Sequence, residues 1–151
     1  MKARTLLMAI ALSAVGGCGY NESTPEGFYQ AYVNAWANSD FDKVLSMHYV
    51  SEGKPNGMDY SHKHIEAEIK KWEAETGDKT PMAACRRTLN EMSGFNYSQD
   101  DEKIKVMYAV KGDPSTRENL DPLLTIIKVD DAWKVQDVTG SKTSQQSWVG
   151  H

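Results

Sequence analysis

The chain has 151 residues, of which 40% are hydrophobic and 25% charged, with a formal net charge of −4 at pH 7. This length suits one domain with its own core, and the composition excludes disordered and collagen-like chains. Lysines and arginines form no run long enough for a phosphate-binding stripe, since Arg86 and Arg87 are an isolated pair. We therefore expect no nucleic-acid partner.

Residues 1–17 have the three parts of a secretory signal peptide. Lys2 and Arg4 precede an apolar run at residues 6–15, and the small residues Gly16 and Gly17 follow it. A helix needs about 20 apolar residues to cross a bilayer, so this run is too short for a permanent transmembrane segment. We expect residues 1–17 to be removed from the mature protein.

Cys18 follows directly after this segment. The sequence VGGC at residues 15–18 resembles a bacterial lipobox, in which the cysteine thiol is linked to a diacylglycerol. The resemblance implies a membrane anchor of acyl chains at Cys18, palmitate among them. Because Gly19 is not aspartate, it also implies the periplasmic face of the outer membrane, with a Gram-positive surface as an alternative. The other interpretation is an ordinary signal peptide that leaves Cys18 as a free or paired thiol.

The other cysteine, Cys85, loses its intramolecular partner if Cys18 carries lipid. It follows Met82, Ala83 and Ala84, and such apolar neighbours favour a buried thiol, because free cysteine is among the most buried residue types. A disulfide between two copies of the chain is the alternative.

The mature chain begins with helical signals after a short tether at residues 18–23. Thr24 is suited to an N-cap and Pro25 to the first helical position, which predicts a helix to about Ala37. Residues 38–40 then break the pattern, and Phe41 opens a second, shorter helix whose apolar spacing reaches His48. A loop at 52–57 precedes a third helix from 59 or 61 to 76, with Ile65, Ile69 and Trp72 on its apolar stripe.

The period changes from helical to alternating after Pro81. We predict strands at 82–92, 103–111, 123–129 and 132–138, with a turn at Asp130 and Asp131. In the second of these strands, the alternation assigns to one face Ile104, Val106, Tyr108 and Val110. Helices first and strands later predict an α+β domain at 24–138, with a curved antiparallel sheet of three to four strands. Residues 139–151 are read as a polar tail.

Two segments at the ends of this domain resemble small lipoproteins of the NTF2-like superfamily. They are TPEGFYQAYVNAWANSDFDKVLSM at residues 24–47 and IIKVDDAWKVQDV at residues 126–138. The resemblance implies an α+β cone, the cystatin-like arrangement, in which helices and a bent sheet enclose a pocket. Relatives include isomerases, dehydratases, transport factors and binding domains, and the enzymes use a Tyr-Asp or His-Asp pair in the cone. No local motif carries such a pair over to this chain.

Several side chains are candidates for a site. His48 is the first acid–base candidate, although a histidine on an apolar face is more often a core residue, and Asp137 is a pocket carboxylate or a solvated one. Aromatic side chains expected to point inward line either a pocket or a packed core; they are Tyr32, Trp36, Tyr108 and Trp133. His62 and His64 lie about 200° apart on a helix and make no chelating pair. We expect neither a metal nor a cofactor.

These patterns favour a lipid-anchored envelope protein that binds or scaffolds and is not an enzyme. Its partners would be the membrane, through the N-terminal lipid, and a small molecule or another envelope protein. One alternative is a small pocket enzyme, an isomerase, dehydratase or hydrolase, that uses His48, a tyrosine and Asp137. Another is a homodimer joined through its sheets or through Cys85.

Overall fold

The computed structural model describes residues 19–49, 81–100, 102–113 and 118–139, together with 67, 69–71 and 74. Helices precede strands along the chain, which confirms the α+β class. The strands form one antiparallel sheet in the order β1-β2-β4-β5, and the short β3 pairs with the end of β2. The elements are α1 (Pro25–Ala37), α2 (Phe41–Met47), α3 (Pro81–Glu91), β1 (Met92–Asp100), β2 (Lys103–Lys111), β3 (Glu118–Asn119), β4 (Leu123–Val129) and β5 (Ala132–Thr139).

The first helix begins and ends where its sequence signals predict. The Thr24 hydroxyl accepts a hydrogen bond of 3.1 Å from the backbone N–H of Gly27, and Pro25 occupies the first turn, where its missing N–H costs nothing. The helix is buried along most of its length and forms the centre of the core. Asp40 then caps α2 by accepting from the backbone N–H of Lys43.

Residues 81–91 form a helix, so the predicted strand at 82–92 is wrong. Pro81, Cys85 and Thr88 are its buried residues, and this spacing of i, i+4 and i+7 is helical. The exposed positions between them include Arg86 and Arg87, which favour helix. Because few of its positions are apolar, the helical period of this segment is hard to recognise in the sequence. Strand β1 starts only at Met92.

Of the four residues predicted to share one face of β2, Ile104 and Val110 are buried, Tyr108 is half-buried and Val106 is exposed. The chain advances three residues from Ile104 to Met107 while β4 advances two, from Ile126 to Leu124, so β2 carries a bulge between them. An extra residue reverses the alternation, and Met107 and Ala109 are therefore buried while Val106 is exposed.

Three strand pairings are irregular at the level of Thr125. The pairing of β1 with β2 slips between Ser98 and Gln99, opposite the bulge of β2, and that of β4 with β5 slips between Thr125 and Ile126. The Thr125 hydroxyl donates a 2.7 Å hydrogen bond to the carbonyl of Lys105 inside the bulge. Since bulges bend and twist strands, we expect the sheet to bend along this line.

The hairpin between β4 and β5 has a two-residue turn. Asp130 and Asp131 have φ values of 50° and 63°, and Val129 pairs with Ala132 on either side of them. Positive φ at both central residues is the geometry of a type I′ turn, whose twist matches that of the strands. The predicted turn and both strands of the hairpin are confirmed.

Part of the predicted third helix is described. Residues 67, 69–71 and 74 are helical, and Ile69 is buried against the core while Lys70 and Lys71 are exposed. Ile65, Trp72, the loop at 52–57 and the tail beyond Thr139 lie outside the described residues.

Candidate functional site

Tyr32 and His48 form a buried polar pair inside the domain. The hydroxyl oxygen of Tyr32 lies 3.0 Å from Nε2 of His48, and the two ring centroids are 5.6 Å apart. Tyr32 projects from the middle of α1. His48 follows the end of α2, where the chain turns extended and makes a parallel bridge with Val135 of β5. The backbone N–H of Tyr49 donates to the carbonyl of Val135 at 2.8 Å, which fixes this segment on the sheet.

Burial lowers the pKa of His48 from 6.5 to about 4. An imidazolium ion loses its hydration in such a place, so the neutral ring is favoured. A neighbouring carboxylate would shift the pKa of a histidine in the opposite direction. His48 is therefore neutral at physiological pH and acts as a hydrogen-bonding core residue.

Of the four aromatic candidates, Tyr32, Trp36 and Trp133 are buried. The ring of Trp36 lies between those of Tyr32 and Phe41, with edge contacts at centroid distances of 6.4 and 6.0 Å. Tyr108 is only half-buried, on the face of β2 opposite Met107 and Ala109, because of the bulge. The expectation that Tyr108 points inward is wrong.

Asp137 is exposed, whereas His48 is buried. Its Oδ1 accepts from the backbone N–H of Val138 at 2.9 Å. The two residues proposed for acid–base chemistry therefore have different environments, one in solvent and one in the core.

A second buried polar cluster surrounds Asp121. The Asp121 side chain is 4% exposed and faces Nη2 of Arg87 at 3.4 Å, while its backbone carbonyl accepts from the Thr88 hydroxyl. Nearby, the Tyr29 hydroxyl donates to the carbonyl of Pro122 at 2.7 Å. Sequence reasoning missed this cluster, since its members are spread over α1, α3 and the segment before β4 and have no common spacing.

The Asp121 cluster also contains the thiol of Cys85, which is buried and free. Burial, and then the charge of Asp121, raise the pKa of Cys85 well above its usual value. A reactive cysteine needs a lowered pKa, because the thiolate is the nucleophile. The cluster is thus a set of interior contacts that joins α3 to the sheet.

A surface pocket lies beside the β4–β5 hairpin. It has a volume of about 440 Å³ and is lined by Gln99, Glu102, Lys128, Asp130, Asp131 and Trp133. The Lys128 ammonium lies 5.2 Å from the centroid of the Trp133 ring, a cation–π contact. The pocket thus combines carboxylates, one cation and an aromatic wall. We call it the hairpin pocket.

Trp133 connects the hairpin pocket to the N-terminal segment. Its indole N–H donates a 3.2 Å hydrogen bond to the carbonyl of Ser23, which directly precedes the N-cap of α1. Beside it, Glu22 and Lys43 form an ion pair at 2.7 Å. The segment that leads from Cys18 into the domain is therefore attached to α2 and β5.

Several candidates lie outside the described residues: Cys18, His62, His64 and His151. Within the described part of the chain, no three histidine, cysteine or acidic side chains are grouped so that they could hold a metal ion. In that same part, no helix has the length and apolarity needed to span a membrane.

Comparison of the sequence with protein-family models and with curated proteins, and of the fold with solved structures, finds no match. The function of the chain therefore has to follow from its own residues and geometry.

Proposed function

We propose that the chain is a lipid-anchored protein of the cell envelope whose NTF2-like domain binds or scaffolds a ligand or partner and does not catalyse a reaction. Two separate features support the proposal. The lipobox-like sequence ending at Cys18 supports the anchor and an outer-membrane location facing the periplasm. The position of His48 in the core supports a role without catalysis.

The environment of His48 is the main support for a role without catalysis. A general acid or base must reach its substrate and needs a pKa near the working pH. His48 is 8% exposed, its Nε2 faces Tyr32, and its pKa is about 4. This combination suits a structural hydrogen bond in a packed interior better than proton transfer to a bound molecule.

The interior around this pair is occupied by large side chains. Between α1 and the sheet, the fully buried residues include Tyr29, Tyr32, Met107, Leu124 and Ile126. A ligand would have to displace side chains that are already packed at high density. We therefore assign binding to the surface, and the hairpin pocket is the described feature that offers a ligand both charge and an aromatic wall.

The anchor is tested by metabolic labelling with radioactive palmitate. The parent chain should be labelled and fractionate with membranes, whereas Cys18→Ser should lose the label and become soluble. Cys85→Ala is the matched control, since it removes the other thiol and should keep both label and location. Labelling that persists in Cys18→Ser, or that is lost in Cys85→Ala alone, contradicts the anchor.

The role of His48 is tested by NMR titration of its ring. We expect a midpoint near pH 4 and ring signals that are unaffected by small-molecule ligands. A midpoint near pH 7, or a ring that responds to added carboxylates or phosphates, would favour the pocket enzyme instead. Tyr32→Phe serves as the comparison, because it removes the hydroxyl partner while keeping the aromatic ring.

A further inference from the structure

The segment between Cys18 and α1 is held against the domain and is not a loose tether. Tyr20 packs on the core, and the carbonyl of Asn21 accepts from both the N–H and the hydroxyl of Thr24 at 3.1 and 2.9 Å. Glu22 pairs with Lys43, and the carbonyl of Ser23 accepts from Trp133. Each residue from 20 to 24 thus has its own contact with the fold.

Gly27 makes room for this segment on α1. A Cβ atom at position 27 would lie 2.0 Å from the carbonyl oxygen of Asn21, far inside contact distance. A glycine inside a helix costs about 0.5–1 kcal/mol relative to alanine. The close approach of the Asn21 backbone explains why a glycine is present in the first turn.

Only a short stretch of chain therefore connects the lipidated residue to the segment that is held against the domain. Three residue steps separate Cys18 from Asn21, and a fully extended chain spans at most about 3.5 Å per residue. The lipidated residue therefore stays within about 10 Å of Asn21. The segment enters the domain beside Trp133, so the nearest part of the sheet is the end formed by the turns β1–β2 and β4–β5.

We propose that this end of the domain, which we call the hairpin end and define by Asp100, Glu102, Asp130 and Asp131, lies directly against the lipid surface in a fixed orientation. The proposal rests on the lipid anchor proposed above. It makes the bilayer itself the partner of this surface and places the hairpin pocket at the level of the headgroups. The opposite end of the sheet, a nine-residue strand or about 30 Å away, then faces the aqueous compartment.

The hairpin end carries carboxylates as well as lysines. Its carboxylates include Glu102, Asp130 and Asp131 beside the pocket cation Lys128, and Asp100, which pairs with Lys105 at 3.0 Å. Carboxylates are repelled by anionic headgroups, so we expect the tether, and not charge, to hold this surface against such a membrane. Without lipid at Cys18, the domain should not bind vesicles of anionic phospholipid.

The experiment measures the distance of two labelled sites from the lipid surface. Ala132→Cys lies next to the turn at the hairpin end, and Asn90→Cys lies near the C-terminus of α3 at the opposite end; both positions are exposed, whereas Cys85 is buried. Each lipidated variant carries a fluorophore on the new thiol and is reconstituted into phosphatidylcholine vesicles that contain a headgroup-attached spin-label quencher. We expect quenching at position 132 to exceed that at position 90 at least threefold.

Two further variants and one control test whether the held segment causes this difference. A ten-residue Gly-Ser spacer inserted between Gly19 and Tyr20 should make the two sites equally quenched while leaving the unfolding temperature unchanged. Gly27→Ala should reduce the difference by displacing Asn21, whereas Gly94→Ala, whose added Cβ would lie 3.6 Å from Val110, should not.

The experiment separates a wrong orientation of the domain from the absence of the lipid anchor. Equal quenching at both sites in the membrane-bound parent overturns the orientation, and a difference that survives the spacer overturns the tether as its cause. If the parent carries no lipid and does not remain with the vesicles, the anchor itself fails. Salt-sensitive vesicle binding by Cys18→Ser would overturn the assignment of membrane contact to the tether.

Discussion

The hydroxyl of Tyr29 on α1 donates a hydrogen bond of 2.7 Å to the carbonyl of Pro122, 93 residues further along the chain. Both groups are buried, so neither has access to water as a substitute partner. Burial also raises the pKa of Tyr29 well above its usual value, so the hydroxyl remains a donor under ordinary conditions. This bond ties the central helix to the segment that leads into β4.

Tyr29→Phe should therefore destabilise the fold by about 1–3 kcal/mol, because it leaves the buried carbonyl of Pro122 without its donor. Urea unfolding followed by circular dichroism measures the loss. Tyr97→Phe removes the same hydroxyl from a side chain that is 39% exposed and should change stability by less than about 0.5 kcal/mol. Equal effects in the two variants would contradict the assigned role of Tyr29.

Acid should destabilise the domain through His48. Its pKa is about 4 in the native state and near 6.5 when unfolded, so the unfolded chain takes up a proton first as the pH falls. The stability that the neutral His48 ring contributes is fully present above pH 6.5 and is lost progressively as the pH falls to about 4. The pKa difference between the two states corresponds to about 3 kcal/mol in the free energy of unfolding.

The pH effect is isolated by comparing unfolding free energies of the parent and His48→Gln at pH 7 and pH 4.5. The variant should lose less stability on acidification, since carboxylates elsewhere titrate equally in both proteins. An identical pH dependence in the two proteins would refute a buried neutral His48.

The β4–β5 turn can be stabilised by substitution. Asp131 has a φ of 63°, a conformation that glycine adopts without steric cost and that β-branched residues strongly resist. Asp131→Gly should stabilise the domain by several tenths of a kcal/mol, and Asp131→Val should destabilise it by about 1–2 kcal/mol. Thermal unfolding resolves the opposite signs, and a valine variant as stable as the glycine variant would exclude the left-handed turn.

Gly27 and Gly94 should respond oppositely to alanine. Alanine ordinarily stabilises a helix relative to glycine by about 1 kcal/mol, but at position 27 the clash with Asn21 outweighs this gain, and we expect a net loss. Gly94→Ala meets only an ordinary contact with Val110 and should be neutral or slightly stabilising. Unfolding midpoints and proteolysis within residues 19–24 measure both effects; a stabilised Gly27→Ala variant would show that the segment yields easily.

Elements with complete local signals were predictable from sequence. Thr24 and Pro25 define the start of α1, and Asp130 and Asp131 define the β4–β5 turn, because capping and positive φ depend on residues only a few positions apart. The inward orientation of Tyr32 and Trp36 followed from helical spacing for the same reason.

Features that depend on distant partners were not predictable. The bulge in β2 is defined by its pairing with β1 and β4. The sequence of β2 alone shows an unbroken alternation of Ile104, Val106 and Tyr108 and therefore gives no sign of the bulge. The contact of Tyr32 with His48 and the burial of Asp121 join separate elements. The sequence of α3 hides its helical period, because its buried face includes a threonine and a cysteine in place of large aliphatic residues.

The burial of Cys85 has a practical consequence. The thiol is fully covered and its pKa is raised, so it is both inaccessible and mostly protonated in the folded chain. An alkylating reagent can modify it only when α3 separates from its neighbours, at a rate that reports the frequency of this opening. During folding, the thiol is open to mispairing only until this helix docks on the core, where Cys85 becomes fully buried.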